Sequence, residues 1–244
     1  TIRNAASEPH VRNLAEMLVK MGAKISGINT NTLVIEGVEK LHGTRHTVNG
    51  DHIEAGSFLA LAASTHGELK IHGTNPGNHW MTRRVFEKFG SKFKLNPSSI
   101  VFHGGQNLLI KKDFGNAIPV VSDGPWPQYP TDMMSCTIVM ATQAEGTVLF
   151  FEKMFESRMY FVDRLVSMGA NAIVCDPHRV VISGRSKLRG IEMSSPDIRA
   201  GMAMLIAALC AKGTSVIQNA DIICRGYEKI EEKILAIGGK IKTG

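Results

Sequence analysis

The chain repeats itself, and a repeat constrains folding more than any single motif, because every copy has to bury the same faces in the same way. An apolar helix end, a glycine and a short strand pattern recur four times: Met21-Gly22-Ala23-Lys24, Phe89-Gly90-Ser91-Lys92, Met168-Gly169-Ala170-Asn171 and Ile237-Gly238-Gly239-Lys240. The glycines lie 68, 79 and 69 residues apart (22 to 90, 90 to 169, 169 to 238). Each is expected to end a helix, where a left-handed backbone is cheap only without a Cβ. A second marker alternates with the first. It is an Asp that opens an apolar helix ending at a Gly before a strand, from Asp51 to Gly67, Asp132 to Gly146 and Asp197 to Gly213.

Together the markers order a unit as helix, strand, helix, glycine, strand, turn, strand. In the second copy the pattern predicts helices over 132–145 and 159–168 and strands over 147–151, 171–175 and 179–183, with a turn at Asp176-Pro177-His178. The first helix of the chain has Val11, Leu14, Ala15 and Leu18 on one face, the stripe of a helix packed on a sheet. Residues 24–27 and 32–36 form its expected hairpin around Asn29-Thr30-Asn31. The chain therefore reads as a half-unit followed by three units, the last ending early. Three such units can close around a common core as a pseudo-threefold α/β domain, each alone being too small to bury its apolar faces.

Composition narrows the function. With 43% hydrophobic and 20% charged residues the 244-residue chain is an ordinary globular protein, which argues against disorder. No stretch approaches the roughly 18 uncharged apolar residues of a membrane span, and the start has no signal-peptide core, so a cytoplasmic protein without membrane partners is expected. Thr1 in place of Met, and Pro9 at the opening of a helix, suggest a chain that begins mid-fold, as a fragment or a processed product. The formal net charge of +6 comes from scattered Lys and Arg, which suits small anionic substrates better than nucleic acid. Cys136, Cys175, Cys210 and Cys224 form no CxxC pair, and the histidines form no HExxH, so reduced thiols and no metal are expected. The absence of a Walker or GxGxxG loop argues the same for organic cofactors, with His103-Gly104-Gly105 read as a turn.

A few residues stand out. Asp132 follows the Pro-rich run Pro125-Trp126-Pro127-Gln128-Tyr129-Pro130; it reads either as a general base held in an ordered turn or, like Asp51 and Asp197 in the other copies, as a helix N-cap. Position alone favours the cap. Arg158 and Arg225 each fall 12 residues after a marker glycine, Gly146 and Gly213, and the same count from Gly67 reaches His79. An arginine at a helix start opposes the dipole and calls for an anion nearby, the alternative being a surface salt bridge. Arg199, two residues after Asp197, reads as its first-turn partner or as a cleft residue. Phe155, after Met154, reads as a strand-end core aromatic. Cys224 reads as a small buried hydrophobe rather than a nucleophile.

Several stretches, in order and spacing, carry a family resemblance: Asn4-Ala5-Ala6-Ser7-Glu8-Pro9 with Met21 to Gly27, Asp51-His52-Ile53-Glu54-Ala55-Gly56, Tyr129-Pro130-Thr131-Asp132, Phe155-Glu156-Ser157-Arg158, Asp197-Ile198-Arg199-Ala200, and Arg225-Gly226-Tyr227 through Lys233. They resemble the enolpyruvyl transferases, on the side of the members that act on UDP-N-acetylglucosamine rather than on shikimate 3-phosphate. The resemblance implies a pseudo-threefold inverse α/β barrel of two-helix, four-stranded units. Residues 1–49 would be the last unit of a first domain, and 50–244 a second domain. It implies transfer of the enolpyruvyl group of phosphoenolpyruvate to the sugar 3-hydroxyl, an early step of peptidoglycan synthesis, without a cofactor. Asp132 would be the carboxylate beside that hydroxyl, following Thr131 of the substrate-binding motif. Arg225 would contact phosphoenolpyruvate, Arg158 would position substrates, Asp197 and Arg199 would face the site, and Met154 and Phe155 would lie against the amino sugar.

The same resemblance assigns a mobile loop with a reactive cysteine, a substrate-binding Lys-Asn pair and the first strand of the second domain to a missing N-terminal half. The chain alone is therefore expected to be incomplete for catalysis. A phosphoshikimate transferase and a catalytically silent binding module are the alternatives. Cys224, Ser157, His52 and Met134 depart from the family's usual Asp, Asn, Arg and Gln.

Overall fold

The structure, a computed structural model, describes residues 1–242. The half-unit comprises β1 (Ile2–Arg3), α1 (Pro9–Lys20), β2 (Lys24–Ser26) and β3 (Thr32–Glu36). The first full copy has α2 (His52–Ser64), β4 (Leu69–His72), α3 (Trp80–Lys88), β5 (Phe93–Asn96) and β6 (Ser99–Phe102). The second has β7 (Val120–Ser122), α4 (Met134–Thr142), β8 (Gly146–Phe151), α5 (Val162–Met168), β9 (Ala172–Asp176) and β10 (Arg179–Gly184). The third has β11 (Glu192–Ser194), α6 (Ile198–Cys210), β12 (Val216–Gln218), α7 (Asp221–Cys224) and α8 (Ile230–Ala236).

Strand order establishes the repeat. β1-β3-β2, β4-β6-β5 and β8-β10-β9 are the same antiparallel arrangement, with Ile25 opposite Ile35, Leu95 opposite Ile100 and Val174 opposite Val180. In the second and third copies the opening strand lies parallel to the strand after the central helix, β7 on β8 and β11 on β12. Among the described residues β4 has no such partner on its outer edge.

The first helix of each full copy forms the centre. All nine residues of α4 are buried, as are Ala55 through Ser64 of α2 and Ala200 through Ala207 of α6. Apolar composition all round a helix, rather than along a stripe, is what burial on every side requires. Several hydroxyls that enter this core turn back on the backbone or on one another. Ser57, Ser64 and Thr137 donate to the carbonyls of Ile53, Ala60 and Met133 at 2.7–2.9 Å, and Tyr227 Oη meets Ser57 Oγ at 2.9 Å.

The glycine markers adopt the backbone expected of them. Gly22, Gly90, Gly169 and Gly238 have φ of 102°, 73°, 107° and 89°, all left-handed. Gly146 and Gly213 follow suit at 116° and 94°, but in the first copy His66 takes the left-handed turn at 55° instead of Gly67. The predicted second-copy helices are shorter than expected. Residues 131–133 form a 3-10 turn before α4, and 158–161 form turns before α5. The α1 stripe is only partly covered: Ala15 is buried but Leu14 is 55% exposed, because the half-unit has a three-stranded sheet and no central helix to enclose it. After α8 no strand follows among the described residues. No helix among them is long and apolar enough to cross a membrane.

Gly201 shows how closely α6 packs on α7 and on the loop that precedes α6. A Cβ there would lie 2.3 Å from Ser195 Oγ, which is held by a hydrogen bond to the Asp197 carbonyl, and 2.7 Å from Ile223 Cγ1. Helix propensity favours alanine over glycine by about 1 kcal/mol, whereas overpacking a core costs about 1–3 kcal/mol. G201A is therefore expected to lower the urea midpoint of unfolding. A raised midpoint would mean that the α6–α7 contact yields without cost.

Candidate active site

The three equivalent aspartates have parted ways. Asp51 and Asp197 cap their helices: Asp51 accepts the Ile53 and Glu54 N–H groups at 2.7 and 3.2 Å, and Asp197 those of Arg199 and Ala200 at 2.8 and 2.9 Å. Asp132 caps nothing. It sits inside the 3-10 turn ahead of α4, where the Met133 N–H is taken by the Pro130 carbonyl at 3.0 Å. Its carboxylate is shared instead between two guanidinium groups, with Oδ1 accepting from Arg158 Nη1 at 2.9 Å and Oδ2 from Arg199 Nη2 at 2.8 Å. The N-cap reading favoured by position is thus wrong for this copy. Burial works to raise the Asp132 pKa, but the hydrogen bonds and charges of Arg158 and Arg199 outweigh it and hold the carboxyl below its ordinary value.

The arginines come from different copies. Arg158 lies in the turns before α5, its guanidinium carbon 4.3 Å from the ring centre of the half-exposed Phe155. Arg199 lies in the first turn of α6. Its backbone N–H goes to Asp197 while its side chain crosses to Asp132, so the expected Asp197–Arg199 ion pair does not form. Arg199 also lies 5.5 Å from the Tyr227 ring centre. Gly226 leaves it room, since a Cβ there would come within 3.3 Å of Arg199 Nη1.

Arg225 follows the four-residue α7 and is exposed; its guanidinium makes no hydrogen bond or ion pair among the described residues. Neither Arg158 nor Arg225 starts a helix, contrary to expectation: α5 and α8 begin at Val162 and Ile230. In the first copy the equivalent His79 is wholly buried and bonded to Thr74 Oγ1 at 2.6 Å. Burial, and then the neighbouring His52, push its pKa down to about 4, so it stays neutral.

A cleft of about 400 Å³ opens at the seam of the second and third copies, lined by Asp132 and Arg158 on one side and by Asp197, Ile198, Arg199, Ile222 and Arg225 on the other. It gathers three guanidinium groups against two carboxylates, one of them engaged in capping, and is therefore suited to anions. Thr131, Met154 and Phe155 do not line it. The Thr131 hydroxyl and the Met154 and Phe155 N–H groups all turn to Glu152, which reading the sequence missed. The available signal was a single acid closing the apolar strand Val148-Leu149-Phe150-Phe151. Cys224 is exposed, not buried as expected. No group of three or more potential metal ligands occurs among the described residues.

The fold is that of the enolpyruvyl transferases, as comparison with known proteins shows. A model of the family described as EPSP synthase (3-phosphoshikimate 1-carboxyvinyltransferase) matches residues 1–234, and the chain belongs to that family. Within it, the chain is 53% identical over 241 residues to the UDP-N-acetylglucosamine 1-carboxyvinyltransferase of Bradyrhizobium diazoefficiens, covering 99% of this chain and 56% of that protein. It is likewise 53% identical over 241 residues to the protein of that name from Treponema denticola, covering 99% of this chain and 57% of the relative. The chain thus spans a little over half the length of the curated relatives it matches. Among solved structures, the enolpyruvyl transferase NikO from Streptomyces tendae superposes with a TM-score of 0.82 at 22% identity, covering 98% of this chain and 55% of that one. EPSP synthase from Acinetobacter baumannii superposes with a TM-score of 0.72 at 18% identity, covering 94% and 55%.

The Asp132 cluster also sets an acid limit on stability. A carboxylate whose folded pKa is depressed contributes fully above its unfolded pKa, about 3.9 for Asp, and loses the contribution as pH falls through the folded value. The melting temperature of the wild type is expected to exceed that of D132N by a constant margin above about pH 5, and the margin to shrink below about pH 4. A margin independent of pH would show that the two arginines do not stabilise the charged form.

Proposed function

We propose that this chain supplies one wall of an active site that transfers the enolpyruvyl group of phosphoenolpyruvate to the 3-hydroxyl of UDP-N-acetylglucosamine, releasing phosphate, in the synthesis of peptidoglycan precursors. The observation that carries the reading is a single carboxylate held between guanidinium groups of two repeats, with a third, unpaired guanidinium across the same cleft. The names and identities of the curated relatives support the choice of substrate.

In this reading the sugar 3-hydroxyl oxygen adds to C2 of phosphoenolpyruvate while its proton passes to Asp132. C3 is protonated to a methyl group by a donor outside this chain. Elimination then removes one C3 proton and breaks the C2–oxygen bond to phosphate, restoring the double bond. Arg225 faces the phosphate or carboxylate of phosphoenolpyruvate, and Arg158 and Arg199 orient Asp132 and balance the charge that gathers beside it. Asp197 acts through the α6 turn that it caps. Thr131 holds the turn that carries Asp132, and Met154 and Phe155, outside the cleft itself, lie toward the amino sugar.

Residues 1–49 then belong to the last unit of one domain and 50–244 to the next, and the partner is the N-terminal half that completes the cleft. The chain alone is expected to release no phosphate from phosphoenolpyruvate and UDP-N-acetylglucosamine, and to do so once that half is supplied. In the completed enzyme D132N should lose about 10²- to 10⁴-fold in kcat, the range for a positioned base, and R225A should raise the KM for phosphoenolpyruvate. Near-normal turnover by D132N would remove Asp132 from its role. Phosphate release that requires shikimate 3-phosphate would overturn the choice of substrate, and no release even from the completed protein would favour a silent module.

A further inference from the structure

Behind the cleft lies a carboxyl group that the proposed chemistry does not use. Glu152 follows β8 directly and is wholly buried. Thr131 Oγ1 donates to its carboxyl at 2.9 Å, and Thr131 immediately precedes Asp132. The N–H groups of Met154 and Phe155 donate to Oε1 at 3.1 and 3.2 Å, and the Phe155 ring lies beneath Arg158. One side chain therefore ties together the two segments that carry the two ends of the Asp132–Arg158 pair. The Glu152 main chain is fixed as well, its N–H donating to the His178 carbonyl at 2.8 Å and its carbonyl meeting His178 Nδ1 at 2.8 Å.

Asp123, equally buried, is close enough to Glu152 to act on its titration. Asp123 Oδ1 accepts the Lys153 N–H at 2.6 Å, but Oδ2 finds no donor when both acids are ionised. The other charged groups nearby do not neutralise the pair. Lys153 Nζ reaches Ser122 Oγ at 3.2 Å, Arg179 pairs with Asp176, and Arg158 is committed to Asp132 across Thr131. A proton on the pair would relieve the repulsion between the two carboxyls and could supply the donor that Asp123 Oδ2 lacks, while Oε1 still accepts from Thr131 and the two amides.

We infer that Glu152 is a positioning residue whose carboxyl clamps the Thr131–Asp132 turn to the 153–158 loop and so sets where Asp132, Phe155 and Arg158 meet the substrate. The last clause rests on the proposed function; the clamp itself does not. Burial, then interaction with the Asp123 carboxylate, push the Glu152 pKa up to about 8. For a group with a raised folded pKa the stabilisation is complete at low pH and fades as pH rises through that value, so the clamp loosens above neutrality.

The test is amide hydrogen exchange at Met154 and Phe155 in the intact protein, corrected for intrinsic rates, at pH 7 and pH 9. Wild type should lose about tenfold or more of its protection between the two, as local opening becomes cheaper. E152Q, a permanently neutral analogue that can still donate to Asp123, should stay protected at both. D123N, which offers an N–H to Glu152, should also hold at pH 9 and keeps the test usable if E152A does not fold. E152A should be unprotected throughout. Loss of protection in E152Q equal to that in E152A, or wild-type protection indifferent to pH, would overturn the clamp. Under the proposed function E152A also raises the KM for UDP-N-acetylglucosamine more than it lowers kcat. If exchange behaves as described while no nucleotide sugar binds, the substrate assignment fails and the clamp stands.

Discussion

The arrangement of the cleft depends on one carboxylate meeting two guanidinium groups. Asp132 belongs to the second repeat, Arg158 follows it by 26 residues and Arg199 by 67, so the triad joins a turn, a loop and a helix start that share no local sequence. Each partner is largely withdrawn from water, with side chains 19–30% exposed. Desolvating a single charge to that degree is costly, and charge-assisted hydrogen bonds on both oxygens offset the cost only while the geometry holds. The triad is therefore as much a constraint on how the second and third repeats dock as a feature of the site.

The repeats make the triad possible by keeping backbones alike while side chains diverge. The positions of Asp51, Asp132 and Asp197 are equivalent, and two of them do the ordinary work of capping a buried helix. The third is released from it by a 3-10 turn that satisfies its own N–H, leaving a carboxylate free at a helix entrance. The positions of His79, Arg158 and Arg225 diverge in the same way. His79 is swallowed by the core and kept neutral, while the two arginines remain at the surface of one seam. A pseudo-threefold scaffold with one asymmetric seam thus gathers its guanidinium groups in one cleft.

This also explains which parts of the protein were legible beforehand. Helix ends at Gly22, Gly90, Gly169 and Gly238 depend on a local backbone property and appear where the spacing put them. The apolar helices that follow Asp51, Asp132 and Asp197 were legible as helices, whereas their burial on every side appears only once the three copies close around them. The role of Asp132 was not, since a cap and a cleft carboxylate look identical until the partners, distant in sequence, are known; only the family resemblance pointed away from the cap. Glu152 was missed for the same reason. Alternation along β8 turns it inward, but its significance comes from Asp123 and Thr131, which arrive from the Pro-rich approach to α4. Cys224 was misjudged because burial was inferred from residue type, whereas the short α7 turns that side chain outward.

The depressed pKa of Asp132 bears directly on the proposed reaction. A carboxylate bonded to two guanidinium groups is reliably ionised but weakly basic, which suits poorly a group that must accept a proton from a sugar hydroxyl. Under that proposal phosphoenolpyruvate, a small multiply charged anion, would compete for the same arginines. Drawing either Arg158 or Arg199 partly toward the incoming phosphate or carboxylate removes a hydrogen bond and a nearby positive charge from Asp132, and both changes raise its proton affinity. The base would then strengthen only when the second substrate is in place. A clamp at Glu152 that holds the Asp132 turn would keep the carboxylate in place as the Arg199 guanidinium, carried by another repeat, moves toward the anion.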